Sequence, residues 1–163
     1  MKNLCTEDLI KILDLKPHPE GGYFRESYRA KGKVEVNELK GSRNYSTAIY
    51  YLLESNDRSK LHRLASDEVW HFYLGDPLVI VEIDETGSVK ETVLGADVAR
   101  GEILQYVVKA KKWFGACVAP GGSYALVGCT VAPGFDFADF EIGDRRQLLK
   151  QFPQARLIIE KVT

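Results

Sequence analysis

Short segments rich in β-branched and aromatic residues, separated by turn signals, constrain the fold of this chain more than any other feature. The segments predicted as strands are Tyr23 to Arg29, Ser46 to Leu53, Glu68 to Leu74, Leu78 to Ile83, Val89 to Leu94, Leu104 to Val108, Trp113 to Ala119 and Tyr124 to Val131. Turn sequences recur between them roughly every ten to fifteen residues, which is typical of a sandwich or barrel rather than of βαβ units. The pattern predicts a mainly all-β protein, an antiparallel jelly roll.

A helix is predicted at each end of the chain. The first begins at Thr6, a candidate N-cap that precedes two acidic residues, and it ends before Pro17. The second covers 145–152 (RRQLLKQF) and is stopped by Pro153. The last segment, 155–162 (ARLIIEKV), is predicted as a short strand or arm.

Length and charge narrow the class of protein. The 163 residues fit a single domain, 1–163, and the 22 Lys and Arg against 23 Asp and Glu leave no positive field for a nucleic acid polymer or an anionic membrane. No apolar run reaches the length of a membrane span or a signal peptide. Cys5, Cys117 and Cys129 are widely spaced, and we interpret them as reduced thiols of a cytoplasmic protein.

The stretch LHRLASDEVWHFYLG (61–75) holds the most informative polar residues. It contains His62, Glu68 and His71, which are consistent with a metal site, a metal-free proton-transfer site or a polar patch such as a buried His62–Glu68 ion pair. Strand alternation places Glu68 and Trp70 on one face and His71 on the other. We therefore interpret His71 as structural or interfacial.

The pattern of His62, Leu64, Glu68 and Gly75 resembles the first motif of the cupin superfamily, H-x-H, three or four residues, E, six residues, G. That motif supplies two histidines and a glutamate to a divalent metal inside a small β-barrel. Leu64 stands where the second histidine is expected, and Phe114 aligns with the third histidine of the second motif. The resemblance therefore implies a site with no metal and no other cofactor.

Four longer segments narrow the resemblance to the cupin-5 group, small cupins of unknown function. They are 18–29, 62–78, 113–118 and 126–143. The resemblance implies a double-stranded β-helix similar to that of deoxysugar epimerases acting on nucleotide-linked sugars, and it implies a homodimer. The lysines of VVKAKKW (107–113) depart from the pattern, which has a proline and a glycine in this turn.

Candidate ligand-binding residues lie in HPEGGYFRESYR (18–29). Tyr23, Arg25, Tyr28 and Arg29 are suited to stacking a ring and neutralising a phosphate, and the same segment also fits an edge strand that carries solubilising charges or pairs with a second subunit. Glu20 and Arg25 are suited to hydrogen bonding with a polar ligand. Trp70 and Trp113 are further candidates, with the barrel core as the alternative for each.

A second acidic stretch, 134–143 (GFDFADFEIG), alternates phenylalanines with carboxylates. The carboxylates suggest calcium, but the phenylalanines require burial, so we predict a packed closing segment.

The sequence supports two main functional hypotheses. The first is a cupin that binds a nucleotide, a nucleobase or a sugar-like molecule and acts as an isomerase or epimerase. In this hypothesis His62 is the general base, held by Glu68, and Tyr50 is the acid. The alternative is a metabolite-binding or regulatory dimer without turnover, and a purely structural dimer is a third, weaker hypothesis.

Overall fold

A computed structural model of the protein describes residues 4–37, 39 and 41–163. Its helices are α1 (Thr6–Ile12), α2 (Arg145–Gln151) and α3 (Arg156–Lys161). Its strands are β1 (Lys16–Pro17), β2 (Tyr23–Arg29), β3 (Lys33–Glu35), β4 (Ser42–Asn44), β5 (Thr47–Glu54), β6 (Ser59–Leu64), β7 (Asp67–Gly75), β8 (Leu78–Ile83), β9 (Val89–Leu94), β10 (Gln105–Val108), β11 (Trp113–Val118), β12 (Tyr124–Ala132) and β13 (Phe140–Ile142).

Two antiparallel sheets form the body of the molecule. One has the strand order β1-β2-β5-β12-β7-β10 and the other has the order β13-β6-β11-β8-β9, while β3 and β4 form a separate hairpin. The mainly β fold predicted from the sequence is confirmed, and the predicted strand bounds agree with the observed ones to within one residue. Five strands among the described residues were not predicted: the short strands β1, β3, β4 and β13, and the six-residue strand β6.

The two sheets enclose a core built from alternate strand residues. Its largest fully buried side chains are Tyr51, Trp70 and Phe114, and both sheets contribute to it. Strand alternation explains this, because every second residue of β5, β7 and β11 points into the barrel. The core fills the barrel except at one end, where polar side chains replace apolar ones.

A second apolar region, the helix-covered layer, lies between the outer face of the five-stranded sheet and the C-terminal helices. It consists of Leu61, Val79, Val81, Ile83, Trp113, Cys117, Leu148, Phe152, Ala155, Ile159 and Val162. The prediction of a strand or arm over 155–162 was wrong, because this segment contains α3. Ala155, Ile159 and Val162 are buried at helical spacing, so the helix is stabilised by packing on the sheet.

The opposite sheet is covered by α1. Leu9 and Leu15 pack there against Leu52 and Leu126. The helix begins at Thr6, so its N-cap is Cys5 rather than the predicted Thr6. None of the helices among the described residues is long and apolar enough to cross a membrane.

The turn that carries the unexpected lysines has the backbone conformation of a glycine turn. Lys111 has φ of 67°, in the left-handed region that favours glycine. Its backbone N–H donates to the Leu64 carbonyl at 2.7 Å. The turn therefore joins β10 to β11 and lies beside the end of β6 despite the change of residue type.

Candidate functional site

The open end of the barrel contains a cavity of about 310 Å³ between the two sheets and the closing segment 134–143. Its floor is polar, its walls are mainly apolar and its mouth carries charges. Its lining residues are His18, Glu20, Phe24, Glu26, Arg29, Thr47, Ile49, His62, Leu64, Glu68, Cys129, Val131, Phe135, Asp136, Phe137 and Phe140. A cavity of this size lies at the lower end of the range for small-molecule sites.

His62 and Glu20 form a buried pair on the cavity floor. The Nε2 atom of His62 lies 3.3 Å from Glu20 Oε2, and its Nδ1 atom lies 2.7 Å from the carbonyl oxygen of Lys60. Because a carbonyl only accepts, we assign the hydrogen of the neutral imidazole to Nδ1. Nε2 of His62 therefore faces the Glu20 carboxylate.

A glycine-dependent loop brings Glu20 into the barrel. Gly21 has φ of 114°, and a Cβ atom there would lie 2.1 Å from the carbonyl oxygen of Arg58. Tyr51 Oη donates to the Gly21 carbonyl at 2.8 Å, and the Lys60 N–H donates to the Glu20 carbonyl at 3.0 Å. The Glu20 carboxylate also accepts a hydrogen bond of 3.0 Å from the Ser59 hydroxyl.

Glu68 is a second buried acid on the same floor. Trp70 Nε1 donates to Glu68 Oε2 at 2.9 Å. Burial, together with the charge of Glu20, raises the pKa of Glu68 to about 8, although the bond from Trp70 opposes the shift. At neutral pH this carboxyl group is therefore mostly protonated and can donate a proton or a hydrogen bond.

His18 completes the polar floor, and the sequence analysis did not single it out. Its Nδ1 atom accepts the backbone N–H of Glu20 at 3.3 Å, and its ring packs on Phe24 with centroids 4.4 Å apart. Burial lowers the pKa of His18, so the ring is neutral near pH 7. The feature of the sequence that could have indicated its role is its position two residues before Glu20 and ahead of Gly21 and Gly22.

The structure separates Tyr23, Arg25 and Tyr50 from the cavity. Tyr50 lies on the outer face of the six-stranded sheet, 6.1 Å from the Tyr73 ring and 5.5 Å beneath the Arg25 guanidinium. Tyr23 packs against the apolar cluster under α1. Tyr51, the next residue of β5, points into the barrel core, and adjacent residues of a strand point to opposite faces. Tyr50 therefore points away from His62, and its assignment as the acid beside His62 is wrong.

The two tryptophans lie outside the cavity lining as well. Trp113 belongs to the helix-covered layer, where the Arg63 guanidinium lies 4.6 Å from its ring centroid. Trp70 is buried in the barrel and reaches the site only through its hydrogen bond to Glu68. The suggested His62–Glu68 ion pair is replaced by His62–Glu20.

His71 lies on the outer face, as strand alternation predicted. Its Nε2 atom is 3.1 Å from the Thr130 hydroxyl, and its Nδ1 atom is 2.9 Å from the Gln105 amide nitrogen. It stacks against Tyr73 with centroids 6.5 Å apart. His71 and His62 are thus close in sequence but separated by the sheet.

The side chains at the positions of the cupin metal ligands do not fit a metal. Leu64 lines the cavity with an isobutyl group, and the Phe114 ring packs on His62 with centroids 4.1 Å apart. Within residues 4–37, 39 and 41–163, no three His, Cys, Asp or Glu side chains are grouped as metal ligands. Apolar groups do not donate electron pairs, so His62 and Glu68 alone make an incomplete ligand set.

The closing segment forms one wall and the rim of the cavity. Phe135 and Phe140 pack against the barrel core, and β13 pairs with β6. At the rim, Arg29 donates to both carboxylate oxygens of Glu26, at 2.9 and 2.7 Å, and to the Phe135 carbonyl at 3.1 Å. Two of the three phenylalanines pack as predicted, whereas Phe137 is 57% exposed at the rim.

Comparisons with known proteins agree with the fold. The family model Cupin_5, described as Cupin superfamily (DUF985), matches residues 7–143. The uncharacterized protein YML079W of Saccharomyces cerevisiae is 32% identical over 146 residues, which cover 82% of this chain and 72% of that protein.

Solved structures extend the similarity. A hypothetical protein from Leishmania major superposes with a TM-score of 0.93 at 39% identity, over 98% of this chain and 99% of that one. Protein SO0799 from Shewanella oneidensis superposes with a TM-score of 0.90 at 36% identity, over 98% of both chains. Oxalate decarboxylase from Bacillus subtilis, at 16% identity and a TM-score of 0.56 over 90% of this chain and 36% of that one, shares the fold alone.

Proposed function

Because this chain belongs to the Cupin_5 family of the cupin superfamily, we propose that its barrel cavity binds a small polar molecule and exchanges a proton with it without a bound metal. One observation carries the proposal: the His62–Glu20 pair and the protonated Glu68 face the same cavity. Groups whose surroundings set different protonation states are typical acid and base partners.

The volume of the cavity limits the size of the ligand. At the roughly 30 Å³ that a water molecule occupies in the liquid, the cavity of about 310 Å³ has room for about ten non-hydrogen atoms. A nucleobase or a single sugar ring is of this size. A nucleotide-linked sugar is larger, so most of it would extend beyond the cavity. The single-ring members of the expected ligand classes are therefore favoured.

The proposed reaction is isomerisation or epimerisation at a carbon next to a carbonyl group. The His62–Glu20 pair, in its deprotonated form, takes a proton from that carbon, and the Glu68 carboxyl gives its proton to the carbonyl oxygen. The resulting enol takes a proton back at carbon and returns one to Glu68, so the protons balance. Glu20 favours the first step because its charge stabilises the imidazolium.

The partners of the protein follow from this proposal. We propose a small-molecule ligand, and we retain the homodimer and the absence of a nucleic acid polymer as predictions. Glu68 takes the role of acid that the sequence analysis assigned to Tyr50, because Tyr50 lies on the other side of the sheet.

Proton exchange in D₂O tests the proposal. The protein is incubated with a panel of monosaccharides and nucleobases, and deuterium uptake at carbon is followed by mass spectrometry. We expect deuterium uptake in one class of ligand, and an exchange rate that is lower by about 10²-fold or more in His62→Gln. His71→Gln is the matched control, because it removes the other histidine of 61–75 without touching the cavity, and it should retain exchange.

The outcomes separate the two main hypotheses. Binding of a panel member without exchange in any of them would overturn the catalytic part and leave a metabolite-binding protein. Exchange that survives in His62→Gln would overturn the role of His62. No binding of any ring compound would contradict the cavity as a ligand site.

A further inference from the structure

Building on the ligand-binding part of the proposed function, and as an alternative to its proton-transfer part, we propose that the ligand is a small ring-shaped organic cation, with its ammonium group at the cavity floor and its ring against the phenylalanines. An anionic ligand such as a phosphate ester is excluded by the same arrangement. Three features of the cavity support this ligand: the charges of its lining, the pairing of the Arg29 guanidinium and the composition of its walls.

The cavity is lined by more acidic than basic groups. Glu20, Glu26, Glu68 and Asp136 contribute carboxyl groups, and Arg29 contributes the guanidinium of the lining. Two of the acids, Glu20 and Glu68, are nearly inaccessible, at 6% and 7% exposure. Glu20 and the ionised form of Glu68 attract a cation strongly because water is excluded there, so the floor favours a cation over a neutral group and disfavours an anion.

Arg29 does not offset this bias, because its donors are already engaged. Nε and Nη2 bind the Glu26 carboxylate, and Nη1 donates to Asn44 Oδ1 at 3.0 Å and to the Phe135 carbonyl. Four of the five N–H donors of a guanidinium are thereby used. A phosphate ester would have to displace Glu26 from Arg29 and also approach Asp136 at the rim.

Aromatic rings supply the second, independent observation. Phe135 lies with its ring centroid 5.0 Å from that of Phe137 and 5.9 Å from that of Phe140, while Phe24 lines the cavity beside His18. The faces of aromatic rings attract organic cations, and their area also buries an apolar ring. Carboxylates at the floor and phenylalanines on the walls thus match the two ends of one ring-bearing ammonium ion.

Binding of such a cation is coupled to the protonation of Glu68. The groups that act on the Glu68 carboxyl are Glu20 from the loop, the Trp70 indole of its own strand and the Cys129 thiol from β12, while His18 and His62 line the same cavity. A cation stabilises the ionised form of Glu68, so its proton is released to the buffer when the cation binds. Affinity should therefore rise with pH up to about 8, by up to about tenfold per pH unit.

Two matched ligand series test the inference by calorimetric titration. The aromatic series is benzylamine, benzyl alcohol and benzoate, and the sugar series is glucosamine, glucose and glucose 6-phosphate. Within at least one series we expect the cation to bind roughly tenfold or more tightly than the neutral member, and the anion not to bind. The series that responds distinguishes an aromatic amine from an amino sugar.

The pH dependence is measured with benzyltrimethylammonium, whose charge does not change with pH. We expect its affinity to rise between pH 6 and 8 in the wild type and to become flatter in Glu68→Gln. Glu91→Gln, an exposed glutamate outside the cavity, is the control and should behave as the wild type.

The results that overturn the inference differ from those that overturn the proposed function. Neutral or anionic members that bind as tightly as the cation would refute the cation preference and leave the cavity as a ligand site. A preference for cations that Glu20→Gln and Glu68→Gln both retain would show that the cations bind elsewhere. Absence of binding across both series would refute the binding proposal itself.

Discussion

Neighbouring residues of β6 and β11 are buried in two very different environments. Leu61 and Trp113 lie in the helix-covered layer, while His62 and Phe114, one residue further along each strand, face the barrel interior. Both environments exclude water, since Leu61 is 0% and His62 2% exposed. The layer is composed of apolar side chains, whereas the cavity holds carboxyl groups and imidazoles.

The helix-covered layer stabilises the fold, whereas the cavity holds the groups that could take part in a reaction. Burying apolar surface under α2 and α3 stabilises the fold, while burying the carboxyl groups of Glu20 and Glu68 costs desolvation free energy. Among residues 4–37, 39 and 41–163, no ion pair of Glu68 compensates that cost, and the groups that act on it include Glu20 and Trp70. The cavity therefore has the character of a functional site that the rest of the fold supports.

Truncating the helix-covered layer should produce the largest loss of stability. Leu61→Ala removes a fully buried side chain and should lower the free energy of unfolding by about 2 to 5 kcal/mol. Urea denaturation measures this loss, and Leu61→Met, which keeps the volume, should cost less than about 1.5 kcal/mol. A loss in Leu61→Ala as small as that in Leu61→Met would contradict the role of the layer.

The Glu68 carboxyl in the cavity, unlike the helix-covered layer, should contribute to the free energy of unfolding in a way that depends on pH. The folded-state pKa of Glu68 is raised from 4.5 to about 8, so the folded protein binds more protons than the unfolded chain between these values. The contribution of Glu68 is fully present below pH 4.5 and is lost as pH rises through about 8, by up to about 1.4 kcal/mol per pH unit.

Glu68→Gln should remove this dependence. The free energy of unfolding is measured in urea at several values from pH 5 to 9, and the difference between wild type and variant isolates the contribution of Glu68. We expect the variant to be relatively more stable as pH rises. A difference that does not change with pH would show that Glu68 titrates normally.

A smaller effect is expected from the hydrogen bond that supports Glu68. Trp70→Phe removes the Nε1–H donor and should cost about 1 kcal/mol near neutral pH. Because the bond from Trp70 lowers the pKa of Glu68, its loss should move the pH dependence to higher pH. If the pH profile does not move, the indole does not act on Glu68.

The smallest effect is expected outside the barrel. His71→Ala removes contacts with Thr130 and Gln105 on the outer face and should cost less than about 1 kcal/mol. Ligand affinity, measured by calorimetry on the best ligand of the panel, should stay at the wild-type value. A loss of ligand affinity in His71→Ala as large as that in His62→Gln would place the site on both faces of the sheet.

Particular strands show how far the sequence predicts the fold. The bounds of β2, β8 and β9 agree with the prediction because their residues combine β propensity with clear turns at the ends. In contrast, β6 has the sequence SKLHRL without a β-branched residue, and it pairs with β11 on one side and β13 on the other. Tertiary pairing, rather than local propensity, makes it a strand.

The candidate site was predictable in residue type but not in pairing. His62, Glu68 and Glu20 were recognised from the motif and from the segment 18–29. The partnership of His62 with Glu20 depends on a loop that crosses to another part of the barrel, and no local spacing encodes it. Tyr50 and Trp113 were misplaced because their strands have buried residues on both faces, so residue type alone did not identify the inner face.

The protonation state of Glu68 is central to the proposed site, and NMR can measure it. Side-chain ¹³C shifts of glutamate-labelled protein are followed from pH 3 to 10, with Glu68→Gln used to assign the resonance. We expect the Glu68 carboxyl to titrate near pH 8, well above its ordinary pKa of 4.5. Titration of Glu68 near pH 4.5 would contradict the proposal of a protonated acid in the cavity.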